Sequence, residues 1–315
     1  MGGQMSETIV KAADTIVEET RRVIQPFIFK RLESRRPKVP GQKIAQTITV
    51  TSGKGGVGKT SLTANLAICL AQSGKRVTIL DADLGLANID VVFGIRPKKN
   101  LNDVINGNLS LEDIIIPGPC GIQIIAGGSG IPELVHLDSA VSRRLFKQLA
   151  FLEDKTDYLI IDTGAGISQN VVSFCLAADQ ILVLTTPEPT ALADAYGIIK
   201  VIHQSRENAH VKILVNRAEN EEEAKFVLNR LAGVAMEFLN FPLITMGYLP
   251  EDKQMYLAVR QQTPLMLFSP MSPAARSLRT IVQQNFPDIP PDPEHEGIEG
   301  FLDKLARLFG AATAR

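Results

Sequence analysis

The residues with the most chemistry in them stand together in Ser52-Gly53-Lys54-Gly55-Gly56-Val57-Gly58-Lys59-Thr60-Ser61. The stretch has the spacing G-x-x-x-x-G-K-[ST]. Ile48-Thr49-Val50 leads into it and Leu62-Thr63-Ala64-Asn65-Leu66-Ala67 follows, so it reads as strand, glycine-rich turn and helix. Gly53, Gly55, Gly56 and Gly58 free the backbone to bend, so that N–H groups from Gly53 through Val57 to Ser61 can cradle a polyphosphate at a helix N-terminus. Lys59 is the expected partner of the β- and γ-phosphates, and the Thr60 hydroxyl is the expected ligand of Mg²⁺. Lys54 is a second lysine in the same loop. One phosphate cradle hardly needs two cations pointing the same way, and a side chain leaving the loop there can cross to a nucleotide held by a facing subunit.

Further candidates fall at the ends of β-rich runs. Arg76-Val77-Thr78-Ile79-Leu80 ends at Asp81-Ala82-Asp83, and Tyr158-Leu159-Ile160-Ile161 ends at Asp162-Thr163-Gly164. In open α/β sheets ligands bind outside the carboxyl ends of the strands. Asp81 can reach the Mg²⁺ shell or the Thr60 hydroxyl, Asp83 can orient or deprotonate an attacking water, and Asp162 can hold Mg²⁺ through water. Strand-end aspartates also serve as helix N-caps, and the adjoining phosphate loop favours the catalytic reading. Asn216 ends Val211-Lys212-Ile213-Leu214-Val215 as either a turn residue or a reader of an adenine edge, since an amide both donates and accepts. The peptide after Pro250, in Gly247-Tyr248-Leu249-Pro250-Glu251-Asp252, would wall the base.

These candidates require alternating strands and helices. The expected fold class is α/β, doubly wound, a mostly parallel sheet with helices on both faces. Residues 45–286 carry that alternation. Residues 1–44 form a helical, basic extension that can bind a partner, touch lipid or pack on the main domain. Residues 287–297 make a proline- and acid-rich linker that cannot continue a helix. In 298–315, Ile298, Phe301, Leu302, Leu305, Leu308 and Phe309 form one stripe of a helix, suited either to lying on an anionic bilayer or to docking on its own domain.

With 315 residues, 45% hydrophobic and 21% charged, the chain can hold one large α/β domain plus tails. A net charge of −1 supplies no global cationic field for DNA, and direct DNA binding is not expected. Cys69, Cys120 and Cys175 have no C-x-x-C spacing and read as thiols of a reducing compartment. The start lacks a secretory n-region and h-region, and no apolar run approaches the roughly 18 residues of a membrane span. A cytoplasmic protein is expected.

The stretch Lys54-Gly55-Gly56-Val57-Gly58-Lys59-Thr60 closely resembles the deviant Walker A motif of the MinD/ParA family, in which the extra lysine is the signature residue. Asp81 to Asp90 matches that family's D-x-D-x-G-x-x-N-x-D switch segment, and Thr185 to Tyr196 and Leu257 to Pro264 resemble its flagellar FlhG/FleN branch. The resemblance implies a SIMIBI, MinD-like P-loop ATPase that binds ATP and Mg²⁺. It implies an ATP-sandwich homodimer in which Lys54 contacts the partner's nucleotide and Asp83 positions the hydrolytic water, and it carries Pro250 and Asp252 over as neighbours of the adenine. It also tips the tail towards membrane targeting, since MinD and FlhG chains end in such a helix. The implied function is an ATPase switch on the inner face of the cell membrane that sets flagellar number or placement, with an FlhF-like GTPase or a flagellar switch or regulator protein as partner.

Two departures stand against full agreement. Gly164 occupies a position where many relatives have proline, and the N-terminal segment lacks the D-Q-A-x-x-L-R element of FlhG. A MinD-type division-site regulator and a ParA-like partition ATPase are the alternatives. Iron–sulfur carriers of the same superfamily need a cysteine pair that this chain does not space correctly.

Overall fold

The computed structural model describes residues 44–83, 88–128, 139–286 and 297–313, together with Val10, Lys11 and Asp14. The described strands are β1 (Gln46–Thr51), β2 (Val77–Ala82), β3 (Ile115–Pro117), β4 (Gln123–Ile125), β5 (Tyr158–Thr163), β6 (Gln180–Thr185), β7 (Val211–Ala218) and β8 (Ile244–Pro250). They form one sheet in the order β3-β4-β2-β5-β1-β6-β7-β8. All neighbours run parallel except β3, which pairs antiparallel with β4.

The helices α1 (Lys59–Gln72), α2 (Ile89–Phe93), α3 (Leu101–Ile105), α4 (Ser139–Leu149), α5 (Gln169–Ala177), α6 (Pro189–Ser205), α7 (Glu221–Leu239), α8 (Lys253–Arg260), α9 (Leu265–Phe268), α10 (Pro273–Asn285) and α11 (Gly297–Thr313) cover both faces. The near-continuous apolar strands follow from this two-sided burial. Leu159 and Ile161 point to the layer holding α4, α5, α6, α7 and α11, while Ile160 points to the layer holding α1, α8 and α10. The fold is the doubly wound, mostly parallel α/β sheet expected from the sequence. Among the described residues, no helix is long and apolar enough to cross a membrane.

Of the two readings of the tail, this structure shows the docked one. Ile298, Phe301, Leu302, Leu305 and Leu308 of α11 are at most 6% exposed and belong to the core beneath α4 and α5. Phe301 stacks on Phe174 of α5 with ring centroids 6.4 Å apart. The stripe read as bilayer-facing is therefore covered by the protein's own body. Helical spacing puts apolar residues on one side whatever they meet, and α5 offers an apolar surface nearer than any lipid. The Phe309 side chain and residues 287–296 of the linker lie outside the described residues. Of the N-terminal extension, Val10 packs on the same core and Asp14 pairs with Lys200 of α6; residues 1–9, 12, 13 and 15–43 lie outside the described residues.

Glu153 seats the start of this tail. Its carboxylate accepts from the backbone N–H groups of Ile298 at 2.6 Å and Glu299 at 3.2 Å, and from that of Ala45 at 2.9 Å, next to β1. Gly297 approaches the same carboxylate at φ 71°, where an added Cβ would lie 2.4 Å from Oε1. Only glycine fits that turn.

Candidate functional site

The parallel register brings the carboxyl ends of β1, β2 and β5 to one edge. Asp81 and Asp162 are direct neighbours there, paired across β2 and β5. The loop from Ser52 to Gly58 leaves β1 at that edge, and Gly58, at φ 101°, starts α1. Its left-handed backbone and the Asn216 amide, which an added Cβ would meet at 2.6 Å, both require glycine. Gly53 is equally constrained, since an added Cβ would sit 2.0 Å from the Asp194 carbonyl oxygen of α6.

A cavity of about 810 Å³ opens over this loop, lined by Gly55, Gly56, Gly58, Lys59, Thr60 and Ser61 on one side. Asp83, Asn88, Gly164, Ser168 and Asn170 line the other. Lys59 is buried. Desolvation pulls its ammonium below the usual lysine range, while Asp162 and Asp83 act in the opposite sense. Val57 is buried beneath the loop and anchors it to the core of the second layer.

Asp81 and Asp162 stand behind the cavity and are almost fully buried. Burial, reinforced by the charge of Asp162, pushes Asp81 up to about 7. Burial pushes Asp162 up to about 6 against hydrogen bonds from Thr60 and Thr63, the latter at 3.0 Å. The oxygens of Asp81 accept from the backbone of Asp83 at 3.1 Å and Ile89 at 3.2 Å, so this carboxylate braces the approach to α2. Residues 84–87 of the switch segment lie outside the described residues. Asp83 faces Gly164, whose added Cβ would be 3.4 Å from its Oδ1. A proline in place of Gly164 would bring ring atoms against that carboxylate.

These side chains fit Mg²⁺. The donors are hard oxygens, Thr60 hydroxyl and two buried carboxylates whose protons a cation would displace. The buried Oδ1 of Asn170, which lines the cavity with Thr60, has no hydrogen-bond partner among the described residues.

A second cavity of about 360 Å³ adjoins the first, lined by Asn65, Asn216, Leu249, Pro250, Asp252 and Tyr256 among others. Asn216 donates its Nδ2 to the Val57 carbonyl at 2.8 Å, and its Oδ1 is an acceptor of the kind an adenine amino group requires. Both Asp252 oxygens are engaged, by Gln254 N–H at 2.9 Å and Ala274 N–H at 3.0 Å, at the starts of α8 and α10. Asp252 thus ties the starts of α8 and α10 together in the pocket wall.

Lys54 does not line the phosphate cavity. Its Nζ meets Glu188 Oε2 at 2.6 Å and Thr190 Oγ1 at 2.9 Å, at the start of α6. Glu188 and Thr190 lie within the Thr185 to Tyr196 stretch with no role evident from sequence, because their proximity to Lys54 depends on β1 and β6 lying side by side. Arg217, Asn170 and Glu153 likewise have no role evident from sequence.

The sequence family described as "ParA: NUBPL iron-transfer P-loop NTPase" matches residues 43–285. The antiactivator FleN of Pseudomonas aeruginosa is 38% identical over 271 residues, covering 85% of this chain and 96% of FleN. The flagellum site-determining protein YlxH of Helicobacter pylori is 31% identical, covering 84% of this chain and 90% of its own. The MinC:MinD cell division protein complex of Aquifex aeolicus matches in structure with a TM-score of 0.64 at 26% identity, over 80% of this chain and 100% of that one.

Proposed function

Because the chain belongs to the ParA/MinD family of P-loop NTPases, we propose that it is an ATP-driven dimerisation switch of the FleN/FlhG kind that regulates flagellar number or placement. The observation that carries the switch is the signature lysine, which turns out of its own phosphate cavity onto the lip of α6. The flagellar assignment rests on the similarity to FleN and YlxH along most of the chain.

In this reading ATP places its base against Asn216 and Pro250 and its phosphates on the loop from Gly53 to Ser61. Lys59 neutralises the β- and γ-phosphates, and Thr60, Asp81 and Asp162 would hold Mg²⁺. Bound Mg²⁺ supplies charge neutralisation on the transferring phosphoryl group. Asp83, at the mouth beside Gly164, accepts the proton of the attacking water or orients it. Lys54 exchanges Glu188 and Thr190 for the nucleotide of a second copy. The stripe of α11 then moves from its seat to the anionic inner face of the cell membrane, where two copies per dimer add avidity. A GTPase of the FlhF kind or a flagellar switch or regulator protein is the partner that reads the dimer.

Light scattering on the eluting protein, with MgATP and with MgADP, tests this. Wild type should form dimers with ATP alone, and Lys54→Ala should bind ATP yet stay monomeric. A Lys54→Ala protein that dimerises normally with ATP would overturn the cross-subunit role.

A further inference from the structure

The outer side of α8, α9 and α10 combines two features that a protein surface ordinarily keeps apart. On α8 the exposed residues Lys253, Tyr256, Leu257 and Arg260 follow one another at i, i+3, i+4 and i+7, which makes one outward stripe. Tyr256 is 64% and Leu257 40% exposed, Leu267 of α9 is exposed as well, and Met271 in the turn to α10 stands 69% in solvent. Arg276 of α10 is exposed, and Arg279 donates to the Pro270 carbonyl at 2.6 Å, which ties α10 to that turn. From Lys253 to Asn285 the chain carries these four cations and no aspartate or glutamate, against a net charge of −1 for the whole. Large apolar side chains left in water beside cations from the same segment mark a surface that meets something else.

The shape and the charge select the occupant. Lys253, Leu257, Arg260, Leu267, Met271 and Arg276 line neither of the two cavities. An outward helix stripe is convex, and a convex surface meets a plane, whereas a partner helix needs a groove. Cations interleaved with Tyr, Leu and Met complement an anionic leaflet, with the charged heads at the lipid phosphates and the apolar side chains at the acyl boundary. Residues 287–296 leave from the end of α10 and lead to α11, so a tail freed from its seat remains tethered to this same side.

We propose that the face formed by α8, α9 and α10 is a membrane-contact surface of its own, a cationic and apolar footing that rests on an anionic leaflet while α11 stays seated in the core. It needs no nucleotide and is independent of the ATPase reading above.

Flotation of the full, nucleotide-free chain tests this, with neutral phosphatidylcholine vesicles and with vesicles containing roughly one-third phosphatidylglycerol. Wild type should float with the anionic vesicles alone. The double variant Arg260→Gln/Arg276→Gln should bind them roughly 25-fold more weakly, about fivefold for each cation removed from a charged surface. Leu257→Ser/Met271→Ser should lose about tenfold. Both variants should melt with wild type, since the four side chains are exposed, and hydrogen exchange of α11 should be the same on vesicles as in solution. Wild type that does not float, equal flotation with neutral vesicles, or either double variant within twofold of wild type would overturn the proposal. Exchange showing α11 released in the bound state would also overturn it, by assigning the contact to the tail. Retention on duplex DNA without flotation would overturn it too and give the face to nucleic acid.

Discussion

Replacing Glu153 by alanine should loosen α11 from its seat without touching the nucleotide site. Two of the three N–H groups that the Glu153 carboxylate accepts, those of Ile298 and Glu299, belong to α11. At about 1.5 kcal/mol for each hydrogen bond to a buried charged group, their loss costs about 3 kcal/mol, which is roughly 150-fold in the docking equilibrium. The stripe from Ile298 to Leu308 still favours the docked state, because each of its large side chains contributes about 1.5–3 kcal/mol when buried. The change therefore appears as more frequent excursions rather than a permanently detached tail. Hydrogen exchange reads this directly. Protection of the α11 amides should fall about 100-fold in Glu153→Ala while that of β1 and β5 holds. Glu153→Gln, which keeps one acceptor oxygen, should fall between the two. Gly297→Ala reaches the same end by collision with Glu153 and φ strain. Sedimentation with anionic vesicles in the absence of nucleotide should rise in step with exchange. If α11 protection in Glu153→Ala stays within threefold of wild type, the carboxylate is not the latch and the apolar contacts alone hold the helix.

Two further outcomes follow from the acids at the strand ends. Asp83→Ala should bind ATP with little change and lose about 10²–10⁴-fold in hydrolysis in a phosphate-release assay, the usual contribution of a positioned base; an undiminished rate would remove Asp83 from the chemistry. Asp81 and Asp162 both hold protons more tightly folded than unfolded, at about 7 and about 6. Their stabilising contribution is therefore complete below about pH 4 and is lost as pH rises through 6 and 7, on the order of 4 kcal/mol between pH 5 and pH 8. Melts in EDTA should show lower stability at pH 8 than at pH 5. MgATP should flatten that slope by favouring the ionised acids, and Asp81→Asn should reduce it; a nucleotide-free melt independent of pH would contradict the burial of the pair.

The phosphate loop was legible in the sequence because its logic is local: a strand, glycines where the backbone must turn left, and a helix start within a few residues. The strand-end acids were legible because a parallel sheet puts every carboxyl end on one edge, which is where Asp81, Asp83 and Asp162 converge. What could not be read depends on which surfaces meet. Lys54 and Glu188 are 134 residues apart and are joined only by the pairing of β1 with β6. Asp252 entered only as a neighbour of the adenine by resemblance, and its bonds to the Gln254 and Ala274 N–H groups depend on α8 and α10 meeting.

The seat of α11 joins the two halves of the molecule mechanically. α5 begins at Ser168, whose side chain caps it through the Val171 N–H, and Ser168, Asn170 and Val171 line the phosphate cavity. One turn further along, Phe174 of the same helix stacks on Phe301 of α11, and its carbonyl accepts from Thr49 in β1. A helix of nine residues does not bend within two turns. A rearrangement of the Gly164 to Ser168 loop around a γ-phosphate therefore cannot shift the start of α5 without disturbing the surface that carries Phe301. Close-packed side chains respond to such a shift by leaving one arrangement for another, not by gradual deformation. The phosphate cavity and the seat of the tail thus share one helix, α5.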